Sequence, residues 1–255
     1  MNRIDQLFAE RSKDITSIYY PAGFPRLDDT LPILQELERQ GVDMVELGIP
    51  FSDPMADGVV IQAAATKALS NGMSLKKLFS QIENMRASVS IPVILMGYLN
   101  PIMHFGFESF CKECVRCGVD GVIIPDLPFH EYMSDMKATA EAYDLRVIMF
   151  ISPETSEERV RLIDEHASGF IYMVSSAGTT GARTEFGGGD YFARVNGMGL
   201  RHPRLIGFGV SNGATFKAAC AASSGAIVGS HFVKLLDSEA TPAAAVTKLL
   251  SDLRS

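Results

Sequence analysis

The segment from Val45 to Gly58, V-E-L-G-I-P-F-S-D-P-M-A-D-G, puts two carboxylates at one corner of the chain. Glu46 sits among apolar residues (Val42, Met44, Val45, Leu47, Ile49), and Asp57 ends the turn-rich loop that precedes a helical pattern from Val59. A carboxylate in apolar surroundings has to be paired, hydrogen-bonded or kept protonated, and such desolvation is how acid/base groups are tuned. One carboxyl group in a strand and another in the adjoining loop can give and take protons on a single substrate. The plainer alternative makes Asp57 a turn residue before Gly58, or makes Asp53 and Asp57 caps of the helix that follows.

The last quarter of the chain offers a seat for an anion. Gly207-Phe208-Gly209-Val210-Ser211 ends one apolar stretch, and a second, V-G-S-H-F-V-K from Val228, ends with Gly229-Ser230 opening a helix. Glycines let backbone N–H groups approach a ligand, and a helix N-terminus adds the positive end of its dipole, so phosphate can bind there without a basic patch. Ser230 alone would also suit an N-cap. Between the two regions, S-S-A-G-T-T-G-A-R-T-E-F-G-G-G from Ser175 to Gly189 has many glycine hinges and little apolar content to pin it. It reads as a lid, with a disordered insertion as the alternative.

Lys and Arg number 23 against 30 Asp and Glu, for a net charge of −7, so local groups have to hold any anionic ligand. No basic run is long enough for a nucleic-acid face. The N-terminus is an amphipathic helix pattern without the apolar core of a signal peptide. No apolar stretch approaches the roughly 20 residues that span a bilayer, which points to a cytoplasmic protein with no membrane partner. Cys111, Cys114 and Cys117 form a C-x-x-C-x-x-C run, but on a helical pattern and far from Cys220, so reduced, packed cysteines are expected and no metal site.

The elements that position these groups alternate. Apolar strands are expected at Ile15 to Tyr20, around Val45, at Ile91 to Met96, Val119 to Ile124, Leu145 to Ile151, Phe170 to Val174, Arg204 to Phe208 and Ala226 to Val228. A first helix ends near Lys13, and later helical segments follow the strands. These include one capped by Asp28 or Asp29, helical patterns reaching about Ala87, and runs from about Glu131 to Tyr143 and Ser156 to His166; Tyr98 to Pro101 reads as a turn. Short apolar strands without clean alternation, each followed by a helix, describe a buried parallel sheet. Eight such units in a chain of 255 residues, with no linker or composition shift, predict an α/β fold: one (β/α)8 (TIM) barrel domain over residues 1–255 with an extra N-terminal helix. An open doubly wound sheet is the alternative, weakened by the lack of G-x-G-x-x-G after the first strand.

The first motif, with Ile61-Gln62, Tyr98-Leu99-Asn100-Pro101, the S-x-x-G-T-T-G-A segment from Ser175, G-F-G-V-S from Gly207 and I-V-G-S from Ile227, resembles the tryptophan synthase α subunit over essentially the whole chain. The resemblance implies retro-aldol cleavage of indole-3-glycerol phosphate to indole and glyceraldehyde 3-phosphate, without a cofactor of its own. It implies a β subunit that carries pyridoxal phosphate, joined in an α2β2 assembly. By position it makes Glu46 the general acid/base and Asp57 the carboxylate that takes up the indole N–H. Tyr172 then lies close to the substrate, Thr180 is a lid residue that meets Asp57, and Gly181, Gly209, Gly229 and Ser230 hold the phosphate. Pro21, Phe24 and Ser176 depart from the family pattern, at the edge near the subunit contact and in the lid.

Overall fold

The structure, a computed structural model, describes residues 1–174, 189–207 and 209–255. Residues 175–188 of the expected lid, with Ser176, Thr180 and Gly181, and also Phe208, lie outside the described residues, while Gly189 opens the helix Gly189–Gly197. Eight parallel strands close into a barrel in sequence order. They are β1 (Ile15–Pro21), β2 (Met44–Gly48), β3 (Val93–Met96), β4 (Gly121–Ile123), β5 (Arg146–Ile151), β6 (Ile171–Val174), β7 (Arg204–Gly207) and β8 (Gly225–Val228). Pairing of β1 with both β2 and β8 closes the ring, so the expected barrel forms and the open sheet does not.

Two apolar compartments explain why the strands do not alternate visibly in sequence. Inside the barrel pack Ile15, Met44, Ile94, Ile123, Ile148, Phe170, Tyr172, Leu205 and Ile227. Their neighbours Ile18, Val45, Leu47, Leu95, Val122, Val147, Ile171 and Val228 face outward against the helices. Each residue therefore lies in the other compartment from its neighbour while hydrophobicity stays high. Glu46, between Val45 and Leu47, falls on the inner face.

The N-terminal helix Arg3–Glu10 closes the bottom of the barrel. Asn2 caps it by accepting from the Ile4 N–H at 2.9 Å, while its amide donates to the carbonyls of Asp120 and Asp144, just before β4 and β5, at 2.8 and 2.9 Å. Ile4, fully buried, joins the interior cluster from below. Ser74, Ser156 and Thr241 cap later helices with their hydroxyls, and Asn212 and Thr215 form a reciprocal capping box.

Several local expectations are corrected. The first helix ends at Glu10, not near Lys13. Asp29 stands at the N-cap of the helix Thr30–Arg39, as expected, but its side chain makes no capping hydrogen bond; its carboxylate instead takes two hydrogen bonds from the Arg26 guanidinium at 2.9 Å. The segment read as a turn from Tyr98 is the start of a helix, Leu99–Phe105. Pro101 falls in its first turn, where an amide would have no intrahelical partner, so the proline does not break it. The helix expected from Glu131 to Tyr143 begins at Phe129 and contains a wider π turn over Tyr132–Met136 before Lys137–Ala142.

The cysteine run lies on the helix Phe107–Cys117, ended by Gly118 in the left-handed conformation at φ +78°. All three thiols are free and buried; burial pushes Cys111 up to about 12 and Cys117 to about 11, so they pack as neutral groups.

Candidate active site

The C-terminal ends of the strands enclose a cavity of about 730 Å3 of atom-free space, part of it open to solvent. Glu46 and Asp57 share its wall with Tyr19, Tyr172, Gly209, Gly229 and Ser230, so the structure brings together every candidate that lies within the described residues.

Glu46 is fully buried on the inner face of β2. Its Oε1 accepts from the hydroxyl of Ser17 on β1 at 2.9 Å, and its Oε2 has no hydrogen-bond partner among the described residues. Desolvation raises its pKa to about 8, opposed only partly by the Ser17 hydrogen bond. At neutral pH the group is therefore a carboxylic acid: it can give a proton and then, once ionised, take one.

Asp57 does not cap the following helix Val59–Ser70; Gly58 stands at the N-cap with no side-chain hydrogen bond. Asp57 Oδ2 instead accepts from the Tyr98 hydroxyl at 3.0 Å, and that hydroxyl accepts from the Ala56 N–H at 3.0 Å. Tyr98 thereby ties the loop after β2 to the end of β3. Partial burial raises the Asp57 pKa, and the Tyr98 hydrogen bond holds it back. Asp53 points elsewhere, accepting from the neighbouring Ser52 hydroxyl.

Tyr172, on β6, is buried with its ring 4.7 Å from that of Phe150. Its hydroxyl occupies room that only glycine leaves on the next strand, since a Cβ at Gly207 would lie 2.0 Å from it. Across the mouth, Gly209 has φ +82° and open space where a Cβ would be. Gly229 caps the helix Ser230–Ser238, whose free first-turn N–H groups face the same cavity as Gly209. Backbone groups of this kind can seat a dianion, and the side chains of His231 and Lys234 line the same cavity.

Sequence reading gave no role to Ser17, Tyr19 or Lys234, and took Tyr98 only as part of a turn. Ser17 and Tyr19 follow Ile15 at two-residue spacing, which marks the inner face of β1 once the strand direction is known. Lys234 follows Ser230 by one helical turn and lines the cavity.

A closed parallel barrel with carboxyl groups and a helix N-terminus around a cavity at the C-terminal ends of its strands is the architecture of the (β/α)8-barrel enzymes. Residues 7–254 match the family model described as tryptophan synthase alpha chain. The tryptophan synthase alpha chain of Parabacteroides distasonis is 62% identical over 256 residues, covering 100% of both chains. That of Bacteroides fragilis is 60% identical over 251 residues, covering 98% of this chain and 95% of its own. Among solved structures, the tryptophan synthase subunit alpha of Legionella pneumophila superposes with a TM-score of 0.88 at 33% identity, covering 100% of this chain and 97% of that one. A Mycobacterium tuberculosis tryptophan synthase structure superposes at 0.89 and 27% identity, covering 99% and 97%. The chain belongs to the tryptophan synthase α chain family. It is a carbon–carbon lyase of tryptophan biosynthesis that cleaves indole-3-glycerol phosphate to indole and glyceraldehyde 3-phosphate, and the family implies a β-subunit partner.

Proposed function

We propose that Glu46 is the general acid/base of this cleavage and Asp57 its electrostatic partner. The observation that carries the assignment is the fully buried Glu46 carboxyl group, with one oxygen left without a partner among the described residues at the cavity wall and desolvation raising its pKa to about 8. Glu46 gives its proton to indole C3, leaving positive charge on the ring nitrogen, and Asp57 accepts the N–H and balances that charge. The ionised Glu46 then takes the proton of the carbinol hydroxyl. The C3–carbinol bond breaks, its electron pair restores the aromatic ring, the carbinol becomes the aldehyde, and Glu46 ends protonated as it began.

Tyr172 packs against the substrate, and the backbone of Gly209, Gly229 and Ser230 holds the phosphate. Thr180, as the lid residue that meets Asp57, and Gly181, as a further phosphate contact, complete the reading from outside the described residues. The chain needs no cofactor for these proton transfers; pyridoxal phosphate belongs to the β partner, with which it forms an α2β2 assembly in the cytoplasm. Met55 and Val59, exposed by 89% and 75%, flank the Asp57 turn and support this end of the barrel as the docking face. No helix among the described residues is long and apolar enough to cross a membrane.

The test is Glu46→Gln, assayed for indole release with a β subunit in excess. Turnover should fall by about 10²-fold or more while affinity for glycerol 3-phosphate stays at the parent value. Parent-like turnover would remove the assignment.

A further inference from the structure

Tyr19 and Glu46 are register partners on β1 and β2, and both face the cavity. The position of the Tyr19 ring is fixed by what two glycines leave open. A Cβ at Gly48 would lie 2.5 Å from the Tyr19 hydroxyl oxygen and 2.9 Å from Cζ, while a Cβ at Gly229 would lie 3.4 Å from Tyr19 Cδ1. The ring therefore runs along the wall from the end of β8 to β2, with its hydroxyl over Gly48, two residues beyond Glu46 toward the mouth. Tyr172 and Gly207 repeat the device across the mouth. In each case the glycine pairs with the residue two beyond the tyrosine, Pro21 with Gly48 and Val174 with Gly207. A phenylalanine would fill the wall equally well, so packing alone does not account for an oxygen that finds no partner among the described residues.

The substrate supplies the partner. Its three-carbon chain joins a phosphate, seated at Gly229 and Ser230, to the ring carbon that Glu46 protonates, and so has to lie along the Tyr19 ring. The carbinol carbon is bonded directly to that ring carbon. A pose that presents both to Glu46, with the chain running toward Ser230, brings the carbinol oxygen to the stretch of wall that the Tyr19 hydroxyl occupies above Glu46. We propose that Tyr19 is a further catalytic residue of this lyase, its hydroxyl donating a hydrogen bond to the carbinol oxygen while Glu46 removes that oxygen's proton. Tyr19 transfers no proton itself; it stabilises the negative charge that grows on oxygen before the carbonyl is complete. Burial and the nearby Asp57 hold its pKa well above the ordinary phenol value, so it stays a donor throughout.

The proposal rests on the Glu46 reading, and the experiment separates the two. Tyr19→Phe and Glu46→Gln are compared with the parent for single-turnover cleavage with a β subunit in excess. Binding of indole-3-propanol phosphate, which keeps the ring and phosphate but lacks both hydroxyls, is titrated in parallel. Tyr19→Phe should slow cleavage by about 10²-fold, the scale of one lost donor at a developing oxyanion, with affinity for the propanol phosphate within about twofold of the parent. Cleavage within about threefold of the parent, or an equal loss of affinity for the propanol phosphate, would overturn the role of Tyr19. Parent-like cleavage by Glu46→Gln would remove the underlying reading, whereas a slow Glu46→Gln beside a parent-like Tyr19→Phe removes Tyr19 alone.

Discussion

Replacing Glu46 by Gln should remove a loss of stability that the parent suffers as pH rises from about 5 to about 8, while slowing turnover by about 10²-fold or more. The native state holds the Glu46 proton up to about pH 8, whereas a solvated glutamate releases it near 4.5. Across that window the folded chain carries one more proton than the unfolded chain, so this residue's contribution is fully present below the unfolded value and is lost as pH rises toward the folded one. At about 1.4 kcal/mol per pH unit, the parent should lose about 3 kcal/mol from this group between about pH 5 and about pH 8. Glutamine keeps the shape and a hydrogen-bonding oxygen near Ser17 but does not titrate. Its amide brings its own burial cost, which is the same at both pH values and cancels in the comparison. Other raised carboxyl groups, Asp43 and Asp57 among them, titrate in both proteins and cancel likewise. The assay is urea unfolding of parent and variant at the two pH values, each converted with its own m-value. Equal loss of stability in the two proteins would refute the claim that Glu46 is folded as a neutral acid.

Three further outcomes follow from the site. Single-turnover cleavage by the parent should fall as pH rises above about 8, because the proton destined for indole C3 is then gone; a rate that stays level to about pH 10 would contradict this. Tyr98→Phe removes the donor that holds the Asp57 pKa down, so cleavage should slow by about tenfold and its acid limb should move to higher pH, read from the pH–rate profile. Gly209→Asp places a carboxylate where open space now faces the anion seat and strains φ +82° at a cost of about 1 to 2 kcal/mol. Its affinity for glycerol 3-phosphate should drop at least about 100-fold by calorimetry, with an unchanged circular dichroism spectrum.

The barrel was legible because its signal is coarse: eight apolar stretches, each followed by a helical segment, leave few ways to bury a parallel sheet. Errors gathered where one residue carries two meanings. Pro101 reads as a turn in Tyr98-Leu99-Asn100-Pro101, yet a proline in the first turn is equally at home in a helix, and nothing local separates the cases. Asp29 is a good helix cap by type, but Arg26 three residues earlier offered its carboxylate a two-point ion pair instead.

The site was legible in proportion to how improbable each residue is at its place. Glu46 stands out in any reading because a carboxylate amid Val45, Leu47 and Ile49 requires an explanation. Tyr19 does not, because a tyrosine next to Tyr20 in an apolar strand requires none. Its significance depends on three facts that exist only in the closed barrel. The inner face of β1 carries Ile15, Ser17 and Tyr19, the register sets Tyr19 beside Glu46, and Gly48 has no side chain to obstruct the hydroxyl. Tyr20, one residue on, turns the other way, packing edge-on to Phe232 and donating to the Thr30 carbonyl at 2.7 Å. Two adjacent tyrosines thus serve opposite purposes. One hydroxyl is spent holding a helix to the outside of the barrel, and the other is left unpaired among the described residues at the point where the substrate's carbinol has to lie.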